Sequence, residues 1–370
     1  MVGSIHELTI DSLANSGEGV GRIDGRVVFV PNASPQDFLK IKITFSKKTF
    51  LKAQIIEILK PSPFRIKPLC TFATECGGCD WQHISYEQQL VEKSQNLLQT
   101  LKKIGKLENI PLEPIVPCSK PFGYRNRIQL QYDKNGFYYL KKGSHSPVYI
   151  DQCLIAEDLI NKNFEFCYNT AIEKKNKAKI ELATVRGQIK TFSVDKHGNS
   201  SLGFRQVNDT QNDVLVEKTL ETIASLKIKS LIDLYCGQGN WSLAVNKALP
   251  EVSCLGIESN PINIKKAQKH SHPMLRFLEG KVEEVYLNLN EQADLVIIDP
   301  PRAGCSPEVL DAIIKKKPKR LIYISCHPAT LARDLQYLTK NSWTIDEILP
   351  VDMFPQTPHL ETWSLLHSDS

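Results

Sequence analysis

The sequence predicts an α/β protein in three parts, and three observations carry that prediction. From about residue 204, apolar strand patterns alternate with helical ones around a glycine turn, Asp233-Leu234-Tyr235-Cys236-Gly237-Gln238-Gly239-Asn240. This reads as a parallel, doubly wound sheet of the Rossmann-like kind. Residues 4–59 hold five short strand patterns, which suit a small closed barrel of the oligonucleotide-binding kind. Between them, Cys70, Cys76 and Cys79 form C-x5-C-G-G-C, the mark of a small metal-bearing central domain. The expected divisions are residues 1–60, 61–203 and 204–370.

Bulk properties agree with a multidomain soluble chain. At 370 residues, two or three domains are the prior, and 41% hydrophobic residues supply packed cores. No positive segment followed by an apolar run opens the chain, and no stretch reaches membrane-spanning length without charges. A cytoplasmic protein with no membrane association is expected. The net charge of +5 is unevenly spread: residues 1–210 carry 29 Lys+Arg against 21 Asp+Glu, and the remainder 17 against 20. A polyanion-binding front on a near-neutral catalytic back fits that split. Lys174 to Lys179, with four lysines, reads as a solvated loop or helix end.

In the barrel, Ile5 to Ile10 alternates, Asp24-Gly25 is a hairpin turn, and Val27 to Val30 is a strand closed by Pro31. Leu39 to Phe45 and Leu51 to Leu59 are further strands. The run Gly17 to Pro35, with G-E-G-V-G-R, D-G and V-F-V-P-N-A, resembles the TRAM domain, an RNA-binding barrel found on RNA-modifying enzymes.

The three clustered cysteines call for a fourth ligand, and Cys153, at a strand-to-loop transition, is the best candidate. Gly77 and Gly78 let the backbone wrap closely around a metal centre. Tetrahedral zinc and a four-iron cluster both remain open on spacing, although the missing second cysteine pair leans toward iron–sulfur. C-G-G-C-D-W-Q-H followed by Tyr86 resembles the cluster region of uridine-5-methyltransferases, and this resemblance implies a 4Fe-4S cluster with a structural or RNA-positioning role. Tyr124-Arg125-Asn126-Arg127 opens an alternating strand whose arginines suit phosphate contacts. A helix is expected at about residues 85–110, able to pack on the catalytic part, with Leu90, Leu97, Leu98, Leu101 and Ile104 as its apolar stripe. Cys118, Cys167, Cys254 and Cys305 stand alone and read as buried filler, and Cys236 as a packing residue.

In the back part, strands at 231–235, 253–258, 275–278, 293–299 and 320–325 alternate with helices. Ligands then bind beyond the carboxyl ends of the strands. Glu258 ends the second strand and suits ribose hydroxyls. G-Q-G-N lacks the third glycine of the dinucleotide fingerprint, which favours S-adenosylmethionine over NAD. Asp299-Pro300-Pro301 is followed by Arg302, where amino-group methyltransferases place a stacking aromatic, so methylation of an exocyclic nitrogen is disfavoured.

Ser325-Cys326-His327-Pro328-Ala329-Thr330-Leu331-Ala332-Arg333-Asp334 decides the class. Carbon 5 of uracil is a poor nucleophile. A thiolate adding to carbon 6 makes the ring an enolate, and carbon 5 can then take an electrophilic methyl. A base must later remove the carbon 5 proton, and Glu361 in Pro358-His359-Leu360-Glu361-Thr362 is the candidate.

These stretches, in order, resemble the RNA (uracil-5)-methyltransferase family over nearly the whole chain. The resemblance implies a Rossmann-like methyltransferase fold behind a TRAM barrel and an iron–sulfur domain. It implies Cys326 as nucleophile and Glu361 as base. It implies Gln206, Tyr235, Asn240, Glu258 and Asp299 as cofactor contacts, with Asp299 also at the uracil edge, and Cys70, Cys76, Cys79 and Cys153 as cluster ligands. The expected substrate is one uridine in structured RNA, 23S rRNA ahead of tRNA, and the expected state is a monomer. His327 stands where many relatives have Asn. Two rival readings exist: a non-catalytic RNA-binding protein that retains the fold, opposed by Cys326 and Glu361, and an iron–sulfur redox enzyme, opposed by four ligands and no flavin motif.

Overall fold

The computed structural model describes residues 2–173 and 179–369, so Lys174, Lys175 and Lys177 lie outside the described residues. Six strands, β1 (Ile5–Thr9), β2 (Ser12–Leu13), β3 (Gly19–Ile23), β4 (Arg26–Val30), β5 (Phe38–Ser46) and β6 (Phe50–Lys60), form one sheet in the order β1-β5-β6-β4-β3-β2. Alternate residues of these strands, Val28, Val30, Leu39, Ile41, Ile43 and Leu51, build a private core. The barrel is fastened to the chain that follows by Asp37. Its carboxylate accepts from the Ser34 and Ser62 backbone N–H groups at 2.6 and 2.9 Å and pairs with Arg65.

Helix α1 (Tyr86–Lys103) follows, then strands β7 (Arg127–Asp133), β8 (Gly136–Leu140), β9 (Pro147–Tyr149), helices α2 (Asp158–Lys162) and α3 (Phe164–Glu173), and strands β10 (Ile180–Val185) and β11 (Gln188–Ser193). The five strands make an antiparallel sheet in the order β11-β10-β7-β8-β9. Helix α1 does not join it. Its Leu97 and Leu101 are buried in the core of the back part beside Leu331 and Leu335.

The back part comprises α4 (Asp209–Ser225), β12 (Ser230–Leu234), α5 (Asn240–Ala248), β13 (Ser253–Glu258), α6 (Pro261–Ala267), β14 (Leu275–Glu279), α7 (Val282–Asn288), β15 (Leu295–Ile298), α8 (Pro307–Lys316), β16 (Arg320–Ser325), α9 (Pro328–Thr339), β17 (Trp343–Val351) and β18 (Glu361–Ser368). The sheet order is β14-β13-β12-β15-β16-β18-β17. The strands from β12 to β16 are parallel, as the alternation predicts, and their near-continuous apolar character follows from burial on both faces. The sheet is not wholly parallel: β18 runs antiparallel between β16 and the edge strand β17. The strand order reverses between β12 and β15, which puts the ligand crevice beyond those strands' carboxyl ends. Among the described residues no helix is long and apolar enough to cross a membrane.

The loop between β17 and β18 is stitched to the middle of the chain. Lys93 Nζ lies 2.5 Å from Asp352 Oδ1, with both side chains fully buried, and Tyr86 donates its hydroxyl to Asp352 Oδ2 at 2.7 Å. Gln89 exchanges hydrogen bonds with Gln356, both at 3.0 Å. Lys93→Ala leaves a buried carboxylate without its counter-charge, and a loss of about 3–5 kcal/mol is expected, read as a lower urea midpoint with an unchanged slope.

Candidate active site

One large cleft, of about 1510 Å³, opens at the carboxyl ends of the parallel strands. That exceeds the ordinary range for one small ligand, roughly 300–1,000 Å³, and leaves room for two reactants. Gln206, Tyr235, Asn240, Glu258 and Asp299 all line it. Cys326 and Glu361 line the same cleft, so sequence-distant residues from β12, β13, β15, β16 and β18 meet there.

The residues expected at the cofactor are fixed by their neighbours. Tyr235 sits at φ +63°, a conformation a bulky side chain rarely adopts, and its hydroxyl donates to Glu283 Oε1 at 3.2 Å. Gly239, at φ +90°, starts α5, and a Cβ there would lie 3.0 Å from Leu243 Cγ and 3.1 Å from Phe277 Cζ. Asn240 is tied reciprocally to Asn212 of α4 at 3.0 and 3.2 Å. The Glu258 carboxylate accepts from the N–H of Gly237 at 3.0 Å and of Asn260 at 2.6 Å, so the β13 acid shapes the glycine turn as well as facing the cleft. Gln206 is carried on a short segment whose carbonyl accepts from Asn126 Nδ2 at 2.9 Å.

The residues expected at the reaction centre stand together. Cys326 follows β16 and is half-buried; Glu361 opens β18 and is buried. Burial pushes the Cys326 thiol up to about 11; Glu361 adds to the rise, and Arg302 works against it. Burial pushes the Asp299 carboxyl up to about 7, while its hydrogen bond from Trp241 Nε1, 3.3 Å long, pulls the other way. Burial, and then the facing Asp299, hold Glu361 well above the ordinary carboxylate range. The buried Glu361, the half-buried Asp299 and a protonated thiol therefore share the end of the cleft, with the Arg302 guanidinium near them.

Sequence reasoning missed Arg302 and Glu283 as cleft residues. Arg302 is the neighbour of a recognised motif, but Glu283, on α7, carries no sequence signal. His327 has a local explanation. It is the N-cap of α9, and its Nδ1 accepts from the Thr330 N–H, the task an Asn side chain performs at that position.

The Tyr124 to Tyr132 run is not the open basic strand that its pattern predicts. Arg127 is spent on the buried Glu181, 2.6 Å away, which also accepts from Ser200 and Gln129. Asn126 is spent on Gln206 and Asp209. Tyr124 donates to the Pro355 carbonyl at 3.1 Å.

Cys70, Cys76, Cys79 and Cys153 line a second cavity of about 70 Å³. All four are free thiols and none is fully buried, whereas Cys118, Cys167, Cys236, Cys254 and Cys305 are buried. The Gly78 N–H donates to Cys76 Sγ at 3.4 Å. Gly77 serves a neighbouring strand rather than the thiols: its N–H bonds the Leu140 carbonyl, and a Cβ would sit 3.0 Å from that oxygen. Burial and the neighbouring cysteines push the Cys76 thiol up to about 11, and Cys79 rises to about 12, chiefly by burial. Among the described residues no group of three His, Cys, Asp or Glu side chains is disposed to hold a metal ion.

A doubly wound sheet with one reversed strand, β18, and a cleft joining a glycine turn and the Glu258 carboxylate to a cysteine, a half-buried carboxyl and a buried one, defines a methyltransferase of the nucleotide-cofactor class. Residues 1–56 match the TRAM domain, and residues 275–369 match the tRNA (uracil-5-)-methyltransferase family. An uncharacterized RNA methyltransferase of Bdellovibrio bacteriovorus is 34% identical, over 100% of this chain and 97% of that one. Another, from Thermosynechococcus vestitus, is 32% identical over 98% of each. The crystal structure of a Pyrococcus abyssi tRNA (uracil-54, C5)-methyltransferase with S-adenosyl-L-homocysteine superposes with a TM-score of 0.74 at 24% identity, covering 98% of this chain and 100% of that one. The chain belongs to the S-adenosylmethionine-dependent RNA (uracil-5-)-methyltransferase family.

Proposed function

We propose that the protein methylates carbon 5 of one uridine in structured rRNA or tRNA through a covalent Cys326 adduct. The observation that supports this most is the meeting of Cys326, Glu361 and Asp299 in the cleft that also holds the glycine turn. S-adenosylmethionine supplies an electrophilic methyl carried on a sulfonium. Gln206, Tyr235, Asn240 and Glu258 would hold it, with Asp299 between it and the base.

The Cys326 sulfur adds to carbon 6 of a flipped uracil. Its thiol is protonated at neutral pH in the empty cleft, so the S–H proton passes to solvent as the bond forms and returns when the sulfur is released, and Arg302 favours the anionic sulfur. Carbon 5 then takes the methyl. Glu361 accepts the carbon 5 proton, the sulfur–carbon 6 bond breaks, and the double bond returns. A carboxylate whose pKa burial raises above the ordinary range is a stronger base for that removal. Flipping the base costs roughly a few kcal/mol, and barrel and cleft contacts to phosphate offset it. Incubation with labelled methyl donor and 5-fluorouridine RNA tests this reading: a covalent adduct is expected, and neither adduct nor transfer would favour the non-catalytic RNA-binding rival. Mapping 5-methyluridine in the rRNA and tRNA of cells lacking the protein identifies the substrate.

Asp299 sets a pH dependence. Its charge fades as pH falls through about 7, so a sulfonium methyl donor should bind more weakly at low pH, while the product, which lacks the sulfonium charge, should change little. From about pH 8 to about pH 6 the donor's Kd should rise by up to roughly tenfold. Calorimetry with an amine-bearing donor analogue checks it, and Asp299→Asn should flatten the curve.

We further read Cys70, Cys76, Cys79 and Cys153 as ligands of a 4Fe-4S cluster. The four cysteines line one cavity, and four thiolates are the ligand set such a cluster takes. Such a cluster would brace the segments that carry its ligands, with no open iron for redox chemistry.

A further inference from the structure

Arg125 lines both the thiol-ringed cavity and the large cleft. Its backbone is held in place: its N–H donates to the Ile155 carbonyl at 2.8 Å, and its carbonyl accepts from the Glu157 N–H at 2.9 Å. Its side chain is half-buried, yet it is barely partnered. Nε donates to the Tyr124 hydroxyl at a long 3.4 Å, and the guanidinium stands 5.9 Å from the Tyr124 ring centre. Among the described residues, Arg127 pairs with Glu181 and Arg205 with Asp209, whereas Arg125 pairs with no carboxylate.

A guanidinium taken out of water without counter-charge is costly, and it has five N–H donors to satisfy. The groups facing it are the sulfurs of Cys79 and Cys153 and the hydroxyls of Tyr124 and Tyr139. Beyond them lies the open cleft. Four thiolates around a cluster would supply negative charge on one side, and RNA supplies it on the other. A planar fork can donate in both directions at once, which a lysine cannot do.

We propose that Arg125 is the positioning residue that couples the cysteine-bound cluster to the substrate: charged sulfurs orient its guanidinium, and its free N–H groups donate to a phosphate of the RNA entering the cleft. The inference rests on the cluster reading above. It assigns the cluster an electrostatic task and involves no electron transfer.

The test is a two-by-two comparison on the full chain, purified without oxygen, with a fluorescein-labelled RNA hairpin bearing a uridine-rich loop. In the loaded protein, Arg125→Ala should weaken hairpin binding about tenfold, the order of one charge-assisted hydrogen bond. It should also lower the slope of log affinity against log salt by about 0.7–0.9, the signature of one lost phosphate contact. Iron, sulfide and S-adenosylhomocysteine binding should be unchanged. Stripping the cluster from the wild type should give the same loss, and stripping it from Arg125→Ala should add nothing further. Equal losses from the substitution in loaded and stripped protein, or an unchanged salt slope, would overturn the coupling alone. Purified protein without iron and sulfide would overturn the cluster reading, and the coupling with it. If the alanine variant does not fold, Arg125→Gln removes the charge, keeps a long polar side chain, and carries the same comparison.

Discussion

Cys326→Ala loses methyl transfer by a factor on the order of 10^4 or more, while the hairpin RNA and S-adenosylhomocysteine still bind near wild-type strength. The expectation follows from the ring chemistry. Without sulfur at carbon 6, carbon 5 has too little electron density to displace a methyl from a sulfonium, and no other cysteine can substitute. Cys236, at the glycine turn, is buried in the core with Trp241 and Val245. Cys326 itself is only half-buried at a strand end, so the truncation should cost little stability. Single-turnover transfer from labelled donor is the measurement, with the adduct to 5-fluorouridine RNA read on a denaturing gel. Residual transfer near the wild-type rate would end the covalent route.

Glu361→Gln behaves differently. Methyl transfer to the adduct proceeds, but the carbon 5 proton stays in place, so protein and RNA remain joined even with ordinary uridine. Multiple-turnover rate should fall by about 10^2–10^4, the usual worth of a positioned base. The amide has the shape of the acid and removes a buried carboxyl held against Asp299, so the fold should tolerate it. Normal product release in this variant would move the base to another group.

Much of this was legible from residue order because the relevant signals are local. The barrel strands follow period-two alternation and the Asp24-Gly25 turn. The parallel strands are apolar runs ended by Gly237, Glu258, Asp299 and Cys326, which is where a doubly wound sheet gathers its ligands. What escaped depends on tertiary partners. Strand β17 contains Pro350, which breaks a strand pattern unless the strand lies at an edge, as β17 does. The Arg127 basic signal is real, but Glu181, more than fifty residues away, consumes it. Glu283 reaches the cleft through the packing of α7, and no spacing rule announces that.

The fastening of residues 352–360 has a consequence for how this chain can be taken apart or recombined. The backbone N–H groups of Asp80 and Trp81 grip the Gln356 carbonyl, Lys93 and Tyr86 grip Asp352, and Tyr124 grips Pro355. Immediately afterwards the chain delivers Glu361. A fragment beginning near residue 204 would keep the glycine-turn crevice but lose the scaffold that presents Glu361, the proposed proton acceptor. The front half of this protein cannot be exchanged as an optional reader of RNA: part of it is masonry for the site itself, and shuffling by recombination would have to carry that stretch along.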